Sequence, residues 1–248
     1  MQTLKEIVVV LVPMILSLSV HEYAHAWSAF KLGDDTAARR GRLTLNPIPH
    51  IDVFGTLLIP VFAVVSGGIG LIGWANPVPI SPQRFRRSIS MRNGLIVTAL
   101  AGPASNVLLA FLVAAVSTGL FSGVLDALTE AGGMSRTLAF LYFGIDKFTA
   151  ANRSFLEAQG FGGSDAVIAL LLSRLFVMNI GLAIFNMLPI PPLDGSRVLP
   201  DAWQEKLGRY TLFVFIGFIA LINFAGPVLE VPVFGIGDAL LGFWALVF

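Results

Sequence analysis

Long apolar runs alternate with short, arginine-rich polar stretches along this chain of 248 residues. A helix needs about 20 apolar residues to cross a bilayer, and runs over about 4–31, 95–125 and 167–188 meet that length. A fourth span is predicted from 210 to about 229, and a short fifth over 233–248. The pattern therefore predicts an all-α polytopic membrane protein.

The segment 53–73 is also apolar, but several glycines and Pro60 interrupt it. Basic residues flank it on both sides, and the positive-inside rule places both flanking loops in the cytoplasm and the N-terminus outside. A segment that enters and leaves on one side satisfies the rule, so we predict a re-entrant loop that could offer a strand edge to a substrate. A β-like run from Arg42 to Leu45 indicates a short strand before it.

Composition narrows the function further. Hydrophobic residues make up 56% of the chain and charged residues 12%, whereas a soluble domain carries about 25% charged residues. Net charge is +1 without a basic tract, so no nucleic-acid partner is expected. Cysteine is absent, so a metal would have to be held by histidine, carboxylate or amide groups. We expect one membrane-embedded domain over 1–248, with a core of about 4–200, accessory spans over about 210–248 and no removable signal peptide.

The first apolar run contains the HExxH pattern His21-Glu22-Tyr23-Ala24-His25. On a helix the two histidines share one face, where both can bind a single Zn²⁺, and Glu22 is placed to act as a general base towards water. Polar side chains at membrane depth are costly, so their presence there indicates a function. The alternative is a chance match in which the histidines form hydrogen bonds inside the bundle.

A second pattern, Asn-Met-Leu-Pro-Ile-Pro-Pro-Leu-Asp-Gly, ends the third span at 186–195. Its prolines stop the helix where Asp194 occurs. This span runs inward and ends on the same face as the first, so Asp194 should reach the depth of the histidines. Catalytic zinc usually has three protein ligands, and Asp194 is the predicted third. The alternative is an ordinary Asp-Gly turn at the membrane surface.

Together these motifs resemble the site-2 protease family of intramembrane zinc metalloproteases. The resemblance rests on the HExxH pattern, on 186–195 and on Gly-Pro-Ala-Ser-Asn at 102–106, and it covers about 5–200. The chain is most similar to small bacterial members, which share stretches like those at 45–52 and 73–79. The peptide-binding and nucleotide-sensing domains of other members are not found, so their modes of substrate selection are not expected here.

The resemblance implies a three-helix catalytic core that binds one Zn²⁺ per chain through His21, His25 and Asp194. It also implies that Glu22 is the catalytic base and that Asn186 contacts the backbone of the substrate. An amide can both donate to and accept from an unwound peptide, so Asn186 suits that role. An interhelical hydrogen bond is the alternative for this residue.

Two further polar residues could take part. Asn106 follows Pro103, which is predicted to break the second helix, and could orient a ligand or the substrate. The alternative is that it satisfies the backbone groups that the proline leaves free. His50 could be another metal contact, a gate or a proton shuttle, or a loop histidine in a polar network.

The sequence thus predicts an intramembrane zinc endopeptidase of a bacterial inner membrane that cuts transmembrane segments of other proteins near the cytoplasmic face. Its expected partners are a transmembrane protein substrate and the lipid bilayer. One alternative is an inactive, zinc-binding membrane scaffold. Another is a metal transporter, which would need polar residues along a path through the membrane.

Overall fold

The computed structural model describes residues 2–66, 73–132, 164–211, 213 and 226–247. Its α-helices are α1 (Gln2–Lys31), α2 (Thr36–Arg39), α3 (Ile59–Val65), α4 (Met91–Gly132), α5 (Ser164–Met187), α6 (Asp201–Gly208) and α7 (Gly226–Ala245). A π-helix (Val53–Leu58) leads into α3, and 3-10 turns lie at Ile48–His50, Pro82–Arg84 and Asp194–Val198. The described part of the chain contains no β-strand.

Three of these helices are long and apolar enough to cross a membrane. They include the stretches Glu6–Lys31, Met91–Phe121 and Val167–Met187. These stretches confirm the three predicted spans of an all-α polytopic membrane protein. The α4 helix continues through Pro103, so the prediction that this proline breaks the second helix is wrong. Membrane helices tolerate an interior proline because neighbouring groups satisfy the freed carbonyl.

Two apolar clusters pack the spans together. One joins α4, α5 and α7, and its most deeply buried members are Ala110, Ala114, Phe176, Ile180 and Leu241. The other joins α1, α3 and α5 through Val10, Met14, Leu18, Val64 and Met178. Small residues on α4 let the helix backbones approach closely, which is how membrane helices gain packing energy.

The C-terminal helix α7 packs on the core and covers most of the predicted fifth span. The Trp244 indole nitrogen donates a hydrogen bond of 3.0 Å to the carbonyl oxygen of Phe111 on α4. Most of the predicted fourth span, from 210 to about 229, lies outside the described residues.

The segment predicted to offer a strand edge is helical as far as it is described. The Asp52 carboxylate caps its first turn by accepting a hydrogen bond of 2.7 Å from the Gly55 backbone N–H. The helical stretch Val53–Val65 is about 20 Å long, too short to cross a hydrocarbon core of about 30 Å. A helix pairs most of its backbone groups internally, so this stretch presents no strand edge. The short strand expected from Arg42 to Leu45 is likewise absent, since Arg42 is irregular and 43–45 form bends.

Residues 73–81 form the extended segment of the chain that lies against α1. The backbone N–H groups of Trp74 and Asn76 donate to the carbonyl oxygens of Gly55 and His50 at 3.3 and 2.9 Å. The fully buried Asp34 carboxylate, just beyond α1, accepts a hydrogen bond of 2.6 Å from the Ser81 N–H. The extended segment is thus fixed along its length.

An ion-pair group lies beside this attachment. Asp35 accepts hydrogen bonds from Arg39 at 2.8 Å and from Arg84 at 2.9 Å. The hydrogen bond from Arg39 is the main reason that the pKa of Asp35 lies below its usual value. Because these groups are exposed, we assign them a role in orienting the loop rather than in stability.

Candidate metal centre and active site

Three predicted ligand atoms meet at one point inside the bundle. His21 and His25 lie one turn apart on α1 and are 4% and 6% exposed. Their Nε2 atoms are 3.0 Å apart. The Asp194 Oδ2 atom lies 3.1 Å from the first and 3.2 Å from the second. Among the residues that the structure describes, these three side chains form a group whose spacing could hold a metal ion.

The dimensions of this triangle fit zinc. Ligands that bind zinc tetrahedrally at 2.0–2.1 Å are about 3.3 Å apart. The observed edges of 3.0, 3.1 and 3.2 Å are close to that value. Two nitrogens and one carboxylate oxygen also match the three protein ligands of a catalytic zinc site, which leaves one position open.

The hydrogen bond at Nδ1 of each histidine determines which ring nitrogen carries the hydrogen. His21 Nδ1 lies 2.6 Å from Asn106 Oδ1, and His25 Nδ1 lies 2.7 Å from the Thr98 carbonyl oxygen. Both partners can only accept, so each Nδ1 carries the hydrogen, and in the neutral ring each Nε2 presents a lone pair. Three electron-rich atoms then face one another, and Asp194 Oδ2 is buried without a hydrogen bond of good geometry. A cation at the centre would remove this repulsion.

Gly102 on α4 lies directly against the two imidazoles. A Cβ atom at this position would lie 2.5 Å from His25 Nε2 and 2.6 Å from His21 Cε1. Atoms this close overlap, so any larger residue here would force the two imidazoles to shift. Close packing against the two imidazoles therefore explains why the 102–106 motif begins with glycine.

Gly195 places Asp194 by allowing its turn to pack against the end of α5. A Cβ at Gly195 would lie 2.3 Å from the Met187 carbonyl oxygen and 2.5 Å from that of Leu188. Both are backbone atoms, which cannot rotate away as a side chain can.

We therefore expect Gly195→Ala to lower the free energy of unfolding by about 1–3 kcal/mol, the usual cost of overpacking, and to reduce bound metal. Thermal unfolding in detergent and metal content of the purified protein measure both effects. Gly208→Ala is the matched control, since a Cβ there meets no atom within 4 Å. Unchanged metal content in Gly195→Ala would contradict the role given to this turn.

Glu22 lies beside the triangle and is anchored by the extended segment. It is 8% exposed, and its Oε2 accepts a hydrogen bond of 2.8 Å from the Val78 backbone N–H. Its Oε1 atom makes no hydrogen bond to the described part of the chain. One oxygen is thus held in place while the other is available to take a proton.

The structure adds two polar residues that the sequence analysis missed. Asn179 of α5 and Ser17 of α1 are fully buried beside Asn106. Asn179 Oδ1 accepts a hydrogen bond of 2.7 Å from Asn106 Nδ2, and its own Nδ2 donates to Ser17 Oγ at 2.8 Å. Helical spacing could have found them, because Ser17 precedes His21 by four residues and Asn179 precedes Asn186 by seven.

The two remaining candidates lie outside the triangle. Asn186 Nδ2 donates to the Leu182 carbonyl oxygen at 3.0 Å, within its own helix and not between helices. His50 is 1% exposed, and its Nε2 lies 2.9 Å from the Thr44 carbonyl oxygen. His50 therefore belongs to a loop network that supports the extended segment.

Comparison with known proteins agrees with a metal site at this position. The family model described as peptidase family M50 matches residues 9–225. The chain is similar to "Putative zinc metalloprotease YwhC" of Bacillus subtilis, at 34% identity over 96% of this chain and 91% of that protein. It is also similar to "Putative zinc metalloprotease Rip2" of Mycolicibacterium smegmatis, at 29% identity over 82% of this chain and 60% of that protein. A search of solved structures found no match.

The family match spans α1, α4 and α5 together with the turn that carries Asp194. It therefore covers every residue that contributes to the triangle and its surroundings. The similarity to YwhC extends over nearly the full length of both proteins, so it is not confined to the HExxH pattern. As the sequence motifs predicted, the chain belongs to peptidase family M50, the family of the site-2 proteases.

Proposed function

We propose that this protein is a zinc endopeptidase that hydrolyses peptide bonds in transmembrane segments of other membrane proteins. The observation that carries the proposal is the triangle of the buried His21 and His25 with the half-buried Asp194, which lies between helices long enough to span a bilayer. The names of the relatives, which describe zinc metalloproteases, support the choice of metal and of reaction.

In this proposal, the triangle holds one Zn²⁺ per chain. When bound, zinc supplies a Lewis acid that makes water acidic near neutral pH and polarises a carbonyl group. Glu22 takes the proton from the attacking water through its free Oε1 atom and hands it to the leaving amine. The Val78 N–H keeps the carboxylate in position through both transfers.

The depth of the site supports a substrate that lies in the membrane. His25 and His21 precede Lys31, the end of α1, by about 9 and 15 Å of helix. A substrate helix hides its peptide bonds in its own hydrogen bonds, so it must unwind before it can react. Asn186 is suited to bind the unwound backbone. Its Oδ1 can accept a hydrogen bond from a substrate N–H, and its Nδ2 can donate to a substrate carbonyl in place of the Leu182 carbonyl.

The same depth supports an orientation. The basic residues between α1 and α4 would face the cytoplasm and the N-terminus the outside, so the metal would lie nearer the cytoplasmic face. The bacterial origin of the relatives favours a bacterial inner membrane. Packing of α7 on α4 and α5 supports a single membrane domain over 1–248.

Removal and return of the metal test this proposal directly. We expect a zinc chelator to abolish cleavage of membrane proteins by the purified protein in lipid vesicles, and stoichiometric Zn²⁺ to restore it. Fragments are identified by mass spectrometry, and the cleaved bonds should fall within transmembrane segments. Mg²⁺ serves as the control ion, because it prefers six oxygen ligands over two nitrogens and one oxygen. Cleavage that persists in the metal-free protein would reject a metalloprotease.

A further inference from the structure

A chain of buried hydrogen bonds connects all three spans and ends on His21. Its members are Ser17 on α1, Asn106 on α4 and Asn179 on α5, and each is 0% exposed. Buried polar groups in a membrane protein are costly unless they are paired, and here each amide is paired at both ends. The network joins three helices, and it also ends on a histidine of the candidate metal centre.

The direction of every hydrogen bond in this chain is determined. The Leu175 carbonyl oxygen can only accept, and Asn179 Nδ2 lies 2.7 Å from it. Asn179 therefore turns its Oδ1 towards Asn106, which must offer its Nδ2 at 2.7 Å. A second, longer contact of 3.4 Å from Asn106 Nδ2 to the Ser17 carbonyl oxygen favours the same orientation.

The orientation of Asn106 in turn decides the state of His21. With its Nδ2 engaged, Asn106 has only Oδ1 to offer, and this atom lies 2.6 Å from His21 Nδ1. The hydrogen must then be on Nδ1, which leaves a lone pair on Nε2 towards Asp194 and His25. If Asn106 rotated its amide by half a turn, Nδ1 would become the acceptor. The hydrogen would move to Nε2, where it would block the metal.

We propose that Asn179 is a positioning residue for the metal centre. It fixes the amide of Asn106 and thereby keeps His21 in the one neutral form that can bind zinc. This inference rests on the proposed function, because it assumes that the triangle holds zinc. Groups behind a metal ligand typically change metal affinity by about 10- to 100-fold when they are removed.

The first test is the substitution Asn179→Leu, which keeps the side-chain size and removes both ends of the amide. We expect zinc affinity, measured by competition with a chelator, to fall about 10- to 100-fold. In the metal-free protein, nitrogen-15 spectra of the histidine rings should show His21 with a share of its hydrogen on Nε2. Ser117→Ala is the control, because it removes a buried hydrogen bond of α4 elsewhere in the bundle and should change neither reading.

A double-substitution cycle separates positioning from general loosening of the fold. If Asn179 acts through Asn106, then adding Asn179→Leu to Asn106→Leu should lower zinc affinity no further. Independent, additive losses would overturn the inference. The milder Ser17→Ala, which removes one acceptor of the Asn179 amide, should give a smaller loss in the same direction and provides the test if Asn179→Leu does not fold.

Failure of this inference can be told apart from failure of the proposed function. If the wild-type protein binds no zinc, the proposed function is wrong. If the wild type binds zinc while folded Asn179→Leu and Ser17→Ala keep its affinity and the wild-type ring spectra, only the role of Asn179 is rejected.

Discussion

Replacing Glu22 by glutamine should lower the cleavage rate by about 10²- to 10⁴-fold, the usual contribution of a general base, and leave the zinc site intact. Glutamine has the same shape and can still accept the Val78 N–H at the position where Glu22 Oε2 accepts it at 2.8 Å. Its amide cannot take a proton from water. The structure therefore predicts a folded, zinc-loaded protein whose cleavage is reduced by that factor.

The measurement compares fragments of membrane proteins and bound zinc in the wild type and in Glu22→Gln, both in lipid vesicles. Glu6→Gln is the matched control, because it makes the same chemical change on the same helix, about four turns from the site. Near-complete cleavage by zinc-loaded Glu22→Gln would rule out Glu22 as the base. A wild-type protein that binds zinc but cleaves nothing would instead favour the inactive scaffold, and zinc flux into vesicles would favour a transporter.

The parts of the site that depend on side-chain chemistry could be predicted from the sequence. The spacing of His21 and His25 places both on one face of a helix, and Asp194 follows a span that ends on the same side. The three spans themselves follow from the length of the apolar runs, because a bilayer fixes how many residues a helix needs. These features depend on residue spacing and segment length, which can be read directly from a sequence.

The parts that depend on backbone atoms could not be predicted. Glu22 is bound by the backbone N–H of Val78, and His25 by the backbone carbonyl of Thr98. Any residue at position 98 would supply that carbonyl, and any residue except proline at position 78 would supply that N–H. The 53–65 segment was also open to misinterpretation. Its β-branched and aromatic residues suit a strand, but the half-buried cap at Asp52 favours a helix there.

Asn179 shows an intermediate case. A single asparagine in an apolar helix does not reveal which neighbour it faces, because membrane helices commonly use this residue to join one another. Only the packing of α5 against α1 and α4 places it beside Asn106. The spacing of seven residues from Asn186 does put the two amides on one face, which is the signal that a sequence can carry.

Replacing Gly102 by alanine should lower zinc affinity by at least about 100-fold, at the upper end of the losses seen when the surroundings of a metal are disturbed. The added methyl group would lie 2.5 Å from His25 Nε2 and 2.6 Å from His21 Cε1. Neither ring can withdraw freely, since the Nδ1 atoms are held at 2.6 and 2.7 Å by Asn106 and Thr98. Activity should therefore be lost together with the metal, in contrast to the zinc-loaded Glu22→Gln.

The stability of the metal-free protein separates a local effect of this substitution from a loosened helix. Alanine is a better helix former than glycine by about 1 kcal/mol, so α4 itself should not be weakened by the substitution. Gly181→Ala on α5 makes the same change where a Cβ meets no atom within 4 Å, and it should keep wild-type zinc affinity and cleavage. Competition with a chelator and thermal unfolding of the metal-free proteins measure the two effects separately. If Gly102→Ala binds zinc as tightly as Gly181→Ala, the metal does not lie between the two imidazoles and α4.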